Sequence, residues 1–262
     1  MSPMHIQKVE RFKARVDFDA ALRSENAAQA VHTVWPDMLG APGLDAGWTI
    51  AADTTWPADG GVAREWVLRH GEAQIAIVLF VSSAGPEPAG RFLLARATEN
   101  MMRDAPFVKS PDRLGTLAVT MPATALPNLI WVFRTLCSDV RAIDARVDIA
   151  PIARWLQSAA EAGLVAAQAA RLRSPGALQV SARRVAVGAS VEIRVQAATA
   201  DEIRYMIAPG FDSRLLTVES QERLAIRLRA LAAGHTTVDL RLIDTATLLS
   251  EQSAVALELI PR

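Results

Sequence analysis

Residues 224–242 read LAIRLRALAAGHTTVDLRL, and apolar and polar side chains alternate on both sides of Gly234. Strict alternation over five or six residues predicts a strand with one buried face, and a glycine between two such runs predicts a turn. The same alternation occurs at Val191–Val195 and Val255–Leu259. About seven short strands fit between residue 176 and the C-terminus, so this region is predicted to be an all-β sandwich of the immunoglobulin-like kind.

The chain before this region has a different pattern. All six Trp, all three Lys and the single Cys precede residue 156. Helical periodicity at about 18–34 and 152–159 is mixed with apolar strand patterns, which predicts an α+β domain with a mostly antiparallel sheet. The predicted order is therefore a leader or flexible N-terminus at 1–17, the α+β domain at 18–163, an Ala-rich helical linker at 164–175 and the sandwich at 176–262.

The composition argues against several classes of function. Basic and acidic residues are balanced at 28 each, whereas a nucleic-acid surface usually shows a basic excess. No apolar run approaches the roughly 18 residues that a membrane-spanning helix needs. A single cysteine can form neither an internal disulfide nor a CxxC metal site. Cys137 lies inside an apolar run, and we expect it to be buried and inert.

Two stretches carry a resemblance to a known family. Val187–Ile193 (VGASVEI) resembles the early strands of bacterial immunoglobulin-like domains of the invasin type, and Leu231–Leu240 (LAAGHTTVDL) resembles their penultimate strand with its turn. The resemblance covers about a third of the chain. It implies a spacer, adhesion or protein-binding role, often outside the cytoplasm, and it implies no catalytic residues. The region before it resembles no family.

Standard catalytic motifs are missing from the sequence. It contains no phosphate-binding loop, no zinc-protease motif and no nucleophile elbow. The four histidines are not spaced as i, i+4 ligand pairs. We therefore assign no catalytic residue, no metal ligand and no cofactor.

Three tryptophans are candidate binding residues: Trp48, Trp56 and Trp66. Exposed together, they would form an apolar patch for a protein partner or a glycan. Buried, they would belong to the core, which is the commoner fate of such large side chains.

Charged residues near the apolar run form the other candidate site. Asp139 and Asp144 are spaced along a strand and its exit, and they could flank a substrate; alternatively they belong to the solvated face of an antiparallel sheet. Arg134 directly follows the apolar run. If it is buried it needs a carboxylate partner, since an unpaired buried charge is strongly destabilising.

These observations favour a non-catalytic protein-binding or assembly component of a bacterial envelope or secreted system, with a protein partner. One alternative is a hydrolase with its site at Asp139, Asp144 or Arg134. Another is a regulator or inhibitor that inserts a hairpin, at Gly60–Gly61 or Gly71, into its target.

The resemblance points to a periplasmic or extracellular location. The N-terminus carries no signal peptide, so the alternatives are a trimmed leader or a cytoplasmic protein. The oligomeric state stays open, although neither Pro nor Lys guards the last strand, Val255–Leu259.

Overall fold

The computed structural model describes residues 3–98, 107–122, 126–143, 147–172, 176–197 and 204–262. The chain is mostly β and contains several antiparallel sheets. It divides into two units. Unit 1 comprises Met1–Ala170 with Ala246–Leu248, and unit 2 comprises Arg171–Thr245 with Leu249–Arg262. In the described part of the chain, no helix is both long and apolar enough to cross a membrane.

Unit 1 is built around a seven-stranded antiparallel sheet. Its helices are α1 (Pro3–Val16), α2 (Phe18–Arg23), α3 (Pro86–Thr98) and α4 (Ala150–Ala162). Its strands are β1 (Gln29–Val31), β2 (Thr49–Ala58), β3 (Gly61–His70), β4 (Ala73–Ser82), β5 (Val108–Lys109), β6 (Leu117–Thr120), β7 (Asn128–Phe133), β8 (Leu136–Ala142) and β9 (Leu164–Ala166). The order across the large sheet is β2-β3-β4-β8-β7-β6-β5.

The central strands β4 and β7 are apolar on both faces because helices contact both sides of the sheet. On one face Phe80 and Val132 share a core with Leu93 of α3. On the other face α4 contacts β7 and β8, and the Trp131 indole N–H donates to Gln157 of α4 at 2.9 Å. That bond satisfies the polar atom of a fully buried tryptophan.

The N-terminal segment departs from the predicted flexible leader at 1–17. Residues Pro3–Val16 form α1, and Phe12 and Val16, one helical turn apart, are almost fully buried in the core shared with α3. The helix predicted at about 18–34 ends at Arg23 in the structure, so that prediction is wrong beyond this residue. The Asn26 side chain accepts from the Ala28 N–H at 3.0 Å, a local bond that competes with continued helix.

The predicted helical linker at 164–175 is wrong over the part that the structure describes. Leu164–Ala166 form β9, which pairs antiparallel with β1, and Ala167–Ala169 form a single 3₁₀ turn. Alanine favours helix intrinsically, but strand pairing with a segment about 130 residues away in sequence overrides that weak preference. Residues 173–175 lie outside the described residues.

Unit 2 is a β-sandwich. Its strands are β10 (Gly176–Val180), β11 (Arg184–Ala186), β12 (Ser190–Ala197), β13 (Tyr205–Gly210), β14 (Leu216–Gln221), β15 (Ala225–Ala230), β16 (Gly234–Asp244) and β17 (Ser250–Ile260). They form two four-stranded sheets, β10-β12-β15-β14 and β11-β17-β16-β13.

Inward side chains of both sheets make one core, among them Ile193, Leu228, Leu240 and Val255. Among the strand pairs of the described residues, only β11 and β17 run parallel. Over the residues that the structure describes, the prediction of an all-β region is confirmed. Strand β10 is one that the sequence pattern missed.

Candidate functional site

Asp139 lies in the middle of β8, on the face that α3 covers. Asp139 is only 2% exposed to solvent. The Oδ2 atom accepts from Arg96 Nε of α3 at 2.8 Å and from Arg141 Nη2 of the same strand at 2.7 Å. Both guanidinium groups form ion pairs with this buried carboxylate. The arrangement fastens a helix to the sheet, and it leaves the bonded oxygen engaged in internal hydrogen bonds.

The other predicted carboxylate, Asp144, lies outside the described residues. The structure therefore brings no second acid beside Asp139 within the part of the chain that it describes. General acid–base hydrolysis of the two-carboxylate type needs a pair of carboxylates with different pKa values. Asp139 accordingly has a structural explanation, and a hydrolytic role for Asp144 stays a prediction.

Cys137 precedes Asp139 by two residues on the same strand and on the same face. It is fully buried, which agrees with the expectation from the sequence. Burial raises the pKa of this thiol well above its usual value, the charge of Asp139 raises it further, and Arg96 acts in the opposite direction. The thiol is therefore neutral at physiological pH, whereas a nucleophile needs a thiolate.

Arg134 occupies the turn between β7 and β8, with a left-handed backbone (φ 56°). Glu25 holds it there, because the Arg134 backbone N–H donates to Oε1 at 3.1 Å and Nη1 donates to Oε2 at 2.9 Å. The next residue, Thr135, accepts from the Val31 N–H at 3.0 Å. The required carboxylate partner is thus Glu25, far away in sequence, and the pair clamps the turn to the segment before β1.

The three candidate tryptophans do not form one exposed patch. Trp48 and Trp66 are buried, at 8% and 4% exposure, and Trp56 is half-buried against the core under α3. Trp56 pairs with Ala63 across the β2–β3 ladder. Residues three apart on a strand face opposite sides, so Trp56 and Trp66 lie on opposite faces of the sheet.

Trp48 and Trp66 each contact a polar neighbour at the sheet surface. The Trp48 ring meets the His70 ring edge to face, with 5.7 Å between centroids. The Arg64 guanidinium lies 4.6 Å from the Trp66 ring, and it also forms a two-pronged salt bridge with Asp53 of β2 at 2.8 and 2.6 Å. Arginine stacked on an aromatic ring in this way adds a small stabilisation.

The two candidate hairpin turns differ in their surroundings. A side chain at Gly60 would collide with Pro88 of α3, and one at Gly61 would collide with the Val81 backbone. That turn is therefore packed against its own unit, which weighs against its insertion into a target. The turn at Gly71 is exposed, with open space around it.

Strand β2 forms one edge of the large sheet, and the alternation of its side chains does not mark it as an exposed element. Its first six residues, 49–54, are exposed on both faces. Ile50 is 40% exposed, and a register irregularity lies between Ile50 and Ala52. Pro57 was an available signal, because proline within sheets is confined mainly to edge strands.

A shallow groove lies on the outer face of the sandwich. It has a volume of about 590 Å³ and is lined by Arg183, Arg184, His235, Thr236, Thr237, Ala256, Leu257 and Glu258. Arg184 and Glu258 are already paired at 3.3 Å. A second cleft, of about 120 Å³, opens between the sheets beside Leu178, Glu251 and Ser253.

Metal binding finds no support in the described ranges, which contain no group of three or more His, Cys, Asp or Glu side chains able to hold an ion.

Comparisons with known proteins identify no family. No family model matches the chain, and no curated protein matches it. Murine CEACAM1b is similar at 14% identity and a TM-score of 0.24, over 52% of this chain and 59% of that chain. Domains 4 and 5 of the S-layer protein SbsC give 9% identity and a TM-score of 0.24, over 90% of this chain and 100% of that chain.

The gamma-CGTase from Alkalophilic bacillus clarkii gives 10% identity and a TM-score of 0.21, over 80% of this chain and 26% of that chain. Superposition scores this low carry no argument about fold or function.

Proposed function

We propose that this protein is a non-catalytic binding or assembly component of a bacterial envelope or secreted system. Unit 1, an α+β domain, makes the specific contact with a protein partner, and unit 2 is an immunoglobulin-like spacer. The proposal includes a location outside the cytoplasm, which the resemblance of the second unit to bacterial immunoglobulin-like domains motivates.

The proposal rests on one observation: the described candidate polar residues of unit 1 are engaged in ion pairs within the unit. Asp139 joins α3 to β8, and Arg134 joins a turn to Glu25. Buried ion pairs of this kind are structural devices whose rupture is costly. The exposed features of unit 1 among its described residues include the turn at Gly71 and the edge strand β2. Of these two, the edge strand offers unpaired backbone groups to an extended segment of another protein.

The strand order of unit 2 supports the immunoglobulin-like assignment. The β10-β12-β15-β14 sheet corresponds to strands A, B, E and D of a constant-type domain, and β17-β16-β13 corresponds to G, F and C. The short parallel β11 is the second half of strand A, which crosses to the other sheet. The disulfide and tryptophan that mark antibody domains are missing from this region, and aliphatic residues fill the core instead.

Quantitative capture from envelope and soluble fractions tests the proposal. The bait is the full chain, compared with a variant carrying Ile50→Arg and Thr54→Arg on β2. Both positions are exposed, so both baits should fold. Val34→Arg is the matched control, because Val34 is 61% exposed and lies outside β2.

We expect a protein that the wild-type chain and the control retain and the β2 variant loses. Equal capture by all three baits would show that the partner contacts a surface other than β2. If no specific protein is captured and the chain hydrolyses members of a broad substrate panel, the proposal is wrong.

A further inference from the structure

A cleft opens between the two sheets of the sandwich, beside β10 of one sheet and β17 of the other. We call it the inter-sheet cleft; its volume is about 120 Å³. Its walls are aliphatic, and they are formed by Leu178, Val195, Ile207, Leu240 and Leu242. All of these side chains except Leu178 belong to the core that both sheets share. The cleft therefore reaches from the surface into that core.

Leu178 is the wall residue that stays open to solvent. It is the register partner of Val195 in the β10–β12 ladder, and directly opposed residues project to the same face of a sheet. Because Val195 faces the core, Leu178 faces it too, yet Leu178 is 37% exposed. An inward-facing aliphatic side chain is thus accessible at the mouth of the cleft.

Strand β17 changes character where it passes the cleft. Its core-facing residues at 255, 257 and 259 are aliphatic, but the next two positions on the same face are Ser253 and Glu251. Ser253 is the register partner of Leu240, and Glu251 is that of Leu242. Both leucines are buried in the core. The Glu251 carboxylate is therefore a polar group at a position where the strand pattern calls for an apolar one, beside aliphatic walls.

Glu251 supplies the charge of the cleft. None of the other residues that line the cleft, all of them described, is charged. The Glu251 side chain has no hydrogen bond or ion pair with any residue that the structure describes. Apolar walls lower the local dielectric, and they strengthen the attraction between a carboxylate and a cation beyond its value in bulk water. A cation is the partner that this carboxylate lacks.

We propose that the inter-sheet cleft binds a small alkylammonium ion, in which a positively charged head carries a short branched aliphatic tail. The tail packs between Leu178 and Leu242, and the head forms an ion pair with Glu251 and donates to the hydroxyl of Ser253. Ligand pockets combine mostly apolar walls with a few polar groups in this way. Apolar cavities of about 150 Å³ bind molecules of the size of benzene, so the volume suits one such tail.

The inference goes beyond the proposed function, because it assigns a ligand to the sandwich, whereas the proposed protein partner binds unit 1. Titration of the full chain with isoamylammonium, followed by amide and methyl NMR spectra, tests it. Isoamyl alcohol and isovalerate carry a similar branched tail with a neutral and a negative head, respectively. All three probes are compared at the same pH and ionic strength.

We expect saturable shift changes at Leu178, Leu240 and Ser253, with a dissociation constant of about 1–10 mM, because a ligand this small makes few contacts. Isoamylammonium should bind about threefold more tightly than isoamyl alcohol, a factor that an accessible ion pair can supply. It should bind about tenfold more tightly than isovalerate, whose head is repelled by Glu251.

Two variants at exposed positions separate the head from the tail. Glu251→Gln keeps the shape of the side chain and removes its charge, so isoamylammonium should then bind no more tightly than the alcohol. Ser253→Leu places an aliphatic side chain in the cleft and should abolish binding of both probes. Glu258→Gln is the matched control, because Glu258 lies on the same strand and projects to the opposite face; it should bind all probes like wild type.

The inference is overturned if isoamylammonium causes no saturable shift changes at these residues, or if isovalerate or the alcohol binds as tightly. It is also overturned if Glu251→Gln leaves the affinity for isoamylammonium unchanged, or if binding survives Ser253→Leu. Capture of a partner by β2 is tested with other variants in the other unit, so the two proposals can fail separately.

Discussion

Replacing Asp139 by asparagine removes the charge that fastens α3 to β8. Asp139 is 2% exposed, and the side chains of its partners Arg96 and Arg141 are 16% and 29% exposed. Removing one partner of a buried ion pair costs about 3–5 kcal/mol. Both arginines reach some solvent, so we expect the lower end, about 3 kcal/mol. For a unit of this size that corresponds to a fall in melting temperature of roughly 6–12 °C.

Tryptophan fluorescence during urea unfolding measures this change selectively, because all six Trp precede residue 156 and so belong to unit 1. Urea is preferred to guanidinium chloride, since a salt screens ion pairs. The triple variant Asp139→Leu with Arg96→Met and Arg141→Met should recover at least half of the loss, because apolar replacement of a complete buried ion-pair cluster is often neutral. A loss below about 0.5 kcal/mol for Asp139→Asn, the level of an ordinary surface change, would refute the fastening role.

Three further predictions concern other parts of the molecule. Cys137 should resist thiol reagents until the protein unfolds. Because the pKa of this thiol is raised in the folded state, only the unfolded thiol ionises above about pH 9, and the free energy of unfolding should fall there. A free energy of unfolding that stays constant with pH in this range would contradict the prediction. Gly115→Ala places a side chain at a left-handed residue (φ 54°) against the Val132 carbonyl, and it should lower the free energy of unfolding by more than about 2 kcal/mol. Gly71→Ala, at a residue with similar backbone geometry but open space around it, should cost about 1 kcal/mol. Equal losses in urea unfolding would show that the collision at Gly115 is relieved. Leu228→Ala should lower the free energy of unfolding by about 2–5 kcal/mol in calorimetry, because Leu228 is fully buried in the sandwich core. Val218→Ala should lower it little, because Val218 is 43% exposed. The reverse order would show that the core of the sandwich lies elsewhere.

Local sequence patterns were sufficient to predict a helix or strand where one of its faces is buried along its whole length. The alternation around Gly234 identified β15, β16 and their turn, and the apolar runs identified β4 and β7. Patterns failed where long-range pairing decides the structure. The three-residue strand β1 exists because it pairs with β9, and neither strand is long enough to show a period. The buried face of α1 depends on Phe12 and Val16, two residues that carry little signal within a charged helix.

The candidate site shows the same division. Arg134 beside an apolar run implied a need for a carboxylate partner, but nothing local identifies Glu25, which precedes it by 109 residues. The pairing of Asp139 with Arg96 likewise depends on how α3 packs on the sheet. The exposure of β2 follows from its position at the sheet edge, and Pro57 was its one sequence signal.

Calorimetric titration of a protein captured by the full chain tests the central claim most directly. The titrated forms are the wild-type chain, the Ile50→Arg/Thr54→Arg variant and Asp139→Asn, the last at a temperature where it is folded. The account predicts saturable binding to wild type, at least tenfold weaker binding to the β2 variant and unchanged affinity for Asp139→Asn. Affinity lost with Asp139→Asn and retained by the β2 variant would contradict it, because the function would then depend on the charged cluster and not on the exposed edge.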